Sequence, residues 1–170
     1  MGHDNAADDM ALPVVSILVE DPTTDRVLLQ IRSKASAGRF RGLYEIPQGK
    51  VGAGETLLDA AARELEDECG LTDFVPRESY GTRREAGEDL AAIETLVVRE
   101  TGYHSFMAVC LVGTASGTPR PSSEAENPAW YTSYEIKALI AEGNVFPLNV
   151  PMLEWHLNRS EDVYPPGVWP

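Results

Sequence analysis

The sequence predicts an α/β domain in which helices cover both faces of a mixed β-sheet. Three observations lead there. Apolar, β-branched runs such as PVVSILVE (13–20) read as strands buried on both faces. Several such runs are mixed with only two or three helical patterns. The segment from Thr56 to Gly70 carries both helix ends and an apolar stripe between them.

Along the chain, MGHDNAADDM is polar and acidic and is expected to be a disordered tail covering residues 1–11. PVVSILVE, the turn DPTTD and RVLLQIR together predict a hairpin. SKASAGRFRG reads as a basic loop, and LYEIPQGKV as one short strand. Thr56 is a natural N-cap, and Asp59 three residues later completes a capping-box pattern. Leu57, Leu58, Ala61, Ala62 and Leu65 form the stripe expected to face the sheet. Gly70 supplies the left-handed stop, with Leu71 as the accompanying hydrophobic contact. FVPRESYGTRRE, LAAIETLVVRE and YHSFMAVCLVGT read as strands. TASGTPRPSSEAENP reads as a long loop, followed by a strand end, Ser133 as N-cap and a helix ended by Gly143. VPMLEWHLNR predicts a last helix. Residues 12–160 are thus expected to form one domain, with 161–170 a Pro-rich tail whose Trp169 packs against a surface.

A chain of 170 residues can bury a real core. Its net charge of −13 argues against unaided binding to duplex nucleic acid, since the backbone term would be repulsive. A small anionic substrate remains compatible, because bound metal inverts the local field. Cys69 and Cys110 lie in apolar runs and read as small buried hydrophobes in a reducing compartment. His3, His104 and His156 show no zinc-ligand spacing. No apolar run approaches about 18 residues, so no membrane span is expected. The N-terminus has no secretory core, and Ala6 stands where myristoylation wants Ser or Thr. A cytoplasmic location is the expectation.

The most informative stretch is GKVGAGETLLDAAARELEDECGL, Gly49 to Leu71. Positions three and four apart on a helix share a face, so Glu64, Asp67 and Glu68 are expected to converge, turned away from the core. Crowded carboxylates need a neutraliser, and a hard divalent cation prefers such oxygens. The rival reading is a solvated helix face that merely bears charge. Gly49, Gly52 and Gly54 let the preceding loop turn sharply, which suits phosphate oxygens; for Gly52 a plain turn is an equal reading.

This segment resembles the Nudix box, G-x5-E-x7-R-E-U-x-E-E-x-G-U, where U is aliphatic. Gly49, Glu55, Arg63, Glu64, Leu65, Glu68, Gly70 and Leu71 match, and Asp67 replaces the first Glu of the E-E pair. A chance match is on the order of one in 10⁵ at average residue frequencies. The resemblance implies an α/β/α sandwich and attack of water on a pyrophosphate linkage, with Mg²⁺ or Mn²⁺ as cofactor. It implies metal ligands at Glu64, Asp67, Glu68 and the carbonyl of Gln48. It gives Arg63 the task of orienting Glu64 and Glu55 by charge-assisted hydrogen bonds. Asp67 is one methylene short, which withdraws its oxygens by about 1–1.5 Å; magnesium tolerates a water in that gap. The loop before Trp130 offers Glu124, and next Glu126, as general base; failing both, Glu64 or Glu68 would act through the metal. Arg32 and Arg41, with Arg39 nearby, flank the site in sequence; Arg32 matches a position that contacts phosphate in relatives, and Arg32, Arg41 and Gly49 are the residues expected to bind substrate. Tyr44, Phe40, Tyr103 and Phe106 are candidates to stack a base, although strand aromatics are more often core.

The expected substrate is a nucleoside diphosphate linked to another group. YEIPQGKV resembles ADP-ribose and nucleotide-sugar hydrolases, while Gln48 is similar to dinucleoside polyphosphate hydrolases. Oxidised nucleoside triphosphates are a further candidate, and a non-hydrolytic nucleotide sensor is the rival from another class. The resemblance also implies a homodimer.

Overall fold

The computed structural model describes residues 11–33, 40–81, 83–85, 88–90, 92–97 and 105–162. Residues 1–10 and 163–170, Arg39 and Tyr103 lie outside them; residues 161 and 162, expected to begin the C-terminal tail, continue the last helix instead.

Among the described residues ten strands and three helices follow in the order β1 (Leu12–Val19), β2 (Arg26–Arg32), β3 (Tyr44–Glu45), β4 (Gln48–Lys50), α1 (Leu57–Cys69), β5 (Thr72–Ser79), β6 (Arg83–Glu85), β7 (Glu88–Leu90), β8 (Glu94–Val97), β9 (Ser105–Ser116), β10 (Ala125–Thr132), α2 (Ser133–Ala141) and, after a 3₁₀ turn at Pro147–Asn149, α3 (Val150–Asp162). The main sheet runs β4-β1-β9-β5, and β8 shares the outer edge of β9 with β5. β1 and β9 are parallel and the other pairs antiparallel, so the sheet is mixed as expected. A second sheet runs β10-β2-β3.

Strand alternation decides which helix each side chain meets. On β1, Val15, Ile17 and Val19 pack with Ala60, Ala61, Leu65 and Cys69 of α1. Val14 and Leu18 point the other way, into the core that holds Ile136 of α2 and Met152, Leu153 and Leu157 of α3. Helices therefore cover both faces, giving the α/β/α sandwich. Among the described residues no helix is long and apolar enough to cross a membrane.

The structure revises several local readings. β1 and β2 belong to different sheets and are joined by the Glu20–Val27 bridge and the Asp21 N–H to Arg26 carbonyl bond next to it, so the expected hairpin closes at its turn but does not continue as a ladder. LYEIPQGKV is split: β3 pairs with β2, and β4 pairs with β1. The break falls at Ile46–Pro47, where proline has no N–H to give a ladder. The long loop is shorter than expected, because β9 continues to Ser116 and β10 begins at Ala125. The N-cap of α2 is Thr132, which shares a capping box with Glu135, and Ser133 lies inside the helix.

Helix α1 starts on the Thr56–Asp59 capping box and stops at Gly70, whose φ is 70°. Its rotation about its own axis differs from the expected one. Leu57, Leu58 and Ala62 are exposed, while Ala60, Ala61, Glu64, Leu65, Glu68 and Cys69 form the buried face. Two alanines let the helix approach the sheet closely. That rotation brings Glu64 and Glu68 inward instead of out to solvent, and leaves Asp67 exposed.

Candidate active site

The crossing from β3 to β4 and the buried edge of α1 enclose a cavity of about 610 Å³. Its wall carries four carboxylates (Glu45, Glu64, Glu68, Glu124), three cations (Arg32, Lys50, Arg63) and an apolar side made by Val14, Phe106, Phe146 and Leu148. Gln48, Gly49 and Gly52 complete the lining.

Arg63 is the organiser on the loop side. Its Nε and Nη2 donate to the two oxygens of Glu55 at 3.1 and 3.0 Å. Nη1 donates to Glu64 at 2.6 Å, and Nη2 also reaches the carbonyl of Lys50 at 3.0 Å. Glu55 in turn accepts the backbone N–H of Gly52 at 3.0 Å. One planar guanidinium thus ties the loop, Glu55 and Glu64 together, which a point-like ammonium cannot do. Gly49 leaves room for this: a Cβ there would lie 2.0 Å from Cδ of Glu64.

A buried polar network lies behind the other wall. Gln30 Nε2 donates to Glu68 at 2.6 Å and reaches Glu45 at 3.5 Å. The backbone N–H of Gln48 donates to Glu68 at 3.3 Å. Glu45 accepts from Arg32 Nη1 at 3.0 Å and from Gln48 Nε2 at 3.2 Å. The Gln48 oxygen accepts from Ser16 and from Asn149, at 3.2 and 2.9 Å. Asn149 also accepts the N–H of Ile46 at 3.2 Å. Both ends of the β3–β4 crossing are therefore held by one buried amide.

Burial sets the electrostatics. It pushes the Glu68 carboxyl up to about 8, with help from the nearby Glu45 charge and against the hydrogen bond from Gln30. Burial raises Glu45 as well, opposed by Arg32, and raises Glu64, opposed by Arg63. Anionic charge here is under-compensated, and the buried Oε1 of Gln30 has no partner.

Of the residues singled out by sequence, Arg32, Gln48, Gly49, Arg63, Glu64, Glu68 and Glu124 share this cavity. Glu55 stands behind Arg63. Exposed Asp67 and Arg41 do not line the cavity, and neither does Glu126. Phe106 lines it, whereas Phe40 stacks edge-on with Phe146 and Tyr44 with Tyr131. Glu45, Gln30, Asn149 and Phe146 were not anticipated. A signal existed for two of them: Gln30 and Glu45 are polar residues inside apolar strand runs, where a polar group needs buried partners.

The donors suit a hard divalent cation, since crowded carboxylates held above their usual range gain from one. Among the described residues no three acidic, histidine or cysteine side chains converge on one point. Glu64 closes on Arg63, Glu68 on Gln30, and Asp67 faces outward.

Known proteins match this chain over most of its length. A putative nudix hydrolase 1 from Caenorhabditis elegans is 24% identical over 136 residues, 80% of this chain and 32% of that protein. A putative 8-oxo-dGTP diphosphatase 2 from Mycobacterium tuberculosis is 36% identical over 110 residues, 65% of each chain. The chain thus spans about a third of the worm protein and under two thirds of the mycobacterial one. The crystal structure of a MutT protein from Methanosarcina mazei superposes with a TM-score of 0.67 at 20% identity, covering 89% of this chain and 95% of that one, which shows the shared fold. The family described as NUDIX domain matches residues 10–155, nearly the whole chain, and the protein belongs to that family.

Proposed function

We propose that the protein hydrolyses a phosphoric anhydride bond in a nucleotide, with Mg²⁺ or Mn²⁺ as cofactor. The observation that carries this is the cavity itself: cations for phosphate oxygens and carboxylates for metal and water, in one space of suitable size. Glu64, Glu68 and the Gln48 carbonyl are the residues that would hold the metal, with Asp67 joining through a water. When bound, the metal would neutralise phosphate charge and acidify a water. Arg32, at the end of β2, binds phosphate, in line with the need for positioning more than covalent chemistry in phosphoryl transfer. Glu124 is exposed at the cavity edge and takes the proton from the attacking water. Its backbone is fixed where Ser33 N–H donates to its carbonyl at 3.1 Å.

The first substrate class is a nucleoside diphosphate linked to another group, as in ADP-ribose, nucleotide sugars or dinucleoside polyphosphates. The name of the mycobacterial relative favours a second, oxidised nucleoside triphosphates. A panel of these compounds, incubated with Mg²⁺ or Mn²⁺ and read by product mass, separates them. Bound but intact nucleotide throughout, with no product over hours, would replace the hydrolase by a sensor.

A further inference from the structure

We propose that Glu45 is a positioning residue that aims Arg32 at the substrate phosphate and ties it to the acidic half of the cavity. This rests on the reading of the cavity as a nucleotide site. Glu45 is only 3% exposed, yet it lines the cavity. One oxygen accepts from Arg32 at 3.0 Å and from Gln48 at 3.2 Å. The other faces the Gln30 amide, which also donates to Glu68. The Arg32 guanidinium also lies over the Phe146 ring, its Cζ 4.9 Å from the ring centroid. Arg32 is thus held by a carboxylate and an aromatic face while its side chain, 33% exposed, lines the cavity.

A purely stabilising role fits these facts less well. A buried carboxylate loses its hydration, and its pairing seldom makes that loss good, so an apolar side chain would serve the fold equally. What the carboxylate adds is orientation. A long flexible arginine held beforehand loses less freedom on meeting phosphate. Gln48 cannot take this task itself. Its amide oxygen faces Ser16 and Asn149, and its N–H₂ faces Glu45, so it supports Glu45 in turn.

The test is calorimetric binding, in Mg²⁺ buffer, of α,β-methylene ADP-ribose and of guanosine 5′-(α,β-methylene)triphosphate, one probe for each proposed substrate class and each with carbon in place of the α,β bridging oxygen. The full chain is compared with Glu45→Gln, Arg32→Gln and the double variant. Each single change is expected to weaken Kd by about tenfold, the scale of one charge-assisted hydrogen bond. The double variant is expected to be no weaker than the worse single one, because both remove the same contact. A merely structural loss lowers the bound stoichiometry and leaves Kd in place. Unchanged Kd for Glu45→Gln, or losses that multiply to about a hundredfold in the double variant, overturns the proposal alone. Absence of binding of both probes by the unaltered chain overturns the nucleotide reading and the proposal with it. Should Glu45→Gln fail to fold, Glu45→Asp keeps the charge but withdraws it from Arg32, and the same tenfold weakening is expected; native affinity there is equally fatal.

Discussion

Gly49 and Glu64 compete for the same space. A methyl group on residue 49 would sit 2.0 Å from the Glu64 Cδ, far inside van der Waals contact. The box glycine therefore serves a close approach: its missing side chain is what lets the Glu64 carboxylate lie against the loop and reach Arg63. Gly49→Ala is expected to displace Glu64 and lower kcat by about 100-fold, the scale of an ångström-sized misplacement at a reacting centre. Thermal unfolding should change little, since the methyl meets the end of a side chain and not the packed core. Near-normal kcat would show that the Glu64 position does not matter to turnover.

Arg63 holds two carboxylates with one planar group. Arg63→Lys keeps the charge but loses the fork, so it should not rescue Arg63→Ala, and kcat should fall at least about tenfold in both. The Arg63 side chain is 41% exposed, so stability should drop by no more than about 1 kcal/mol. Full activity in the lysine variant would mean that charge alone suffices.

Glu68 is the most thoroughly buried carboxylate of the α1 face. Glu68→Gln keeps its volume and should abolish most turnover while preserving the fold. In the unaltered protein, saturating Mn²⁺ at about 100 times its Kd should add roughly 2.7 kcal/mol of stability. The variant should lose most of that shift in a thermal melt. An unchanged manganese shift would remove Glu68 from the proposed ligands.

Asn149 has no exposed surface and bridges Gln48 to Ile46. Asn149→Ala leaves a buried backbone N–H without its acceptor, at a cost of about 1–3 kcal/mol. Denaturant unfolding measures this directly. A loss below about 0.5 kcal/mol would show that the two hydrogen bonds are weak or readily replaced.

His156 sits among Glu20, Asp25, Arg77 and Arg159, and burial lowers its pKa below the usual 6.5. The unfolded chain therefore binds this proton more readily than the folded one. The stability that neutral His156 contributes is complete above pH 6.5 and declines as pH falls through 6.5 towards the folded value. The gap in melting temperature between the unaltered protein and His156→Gln should narrow, or reverse, from pH 7.5 to pH 5.5. A gap independent of pH would show that the ring does not titrate differently on folding.

What the sequence by itself determined is local. The capping box, the αL stop at Gly70, the Arg63–Glu55–Glu64 contacts and the open backbone at Gly49 all lie within one 23-residue stretch. Helix periodicity and cap chemistry dictate such relationships over a few turns. Tertiary packing decided the rest. The rotation of α1 depends on which side chains the sheet accepts: it took Ala61 and Leu65 as expected, but added the small Ala60 and left Leu57, Leu58 and Ala62 outside. The division of 44–50 between two sheets depends on strands that pair from elsewhere in the chain. Asn149 meets Gln48 and Ile46 from 101 and 103 residues away, and Gln30 meets Glu68 across 38. No periodicity spans such separations. These polar groups find each other because, once buried among apolar neighbours, each must pair or bear the full cost of leaving water.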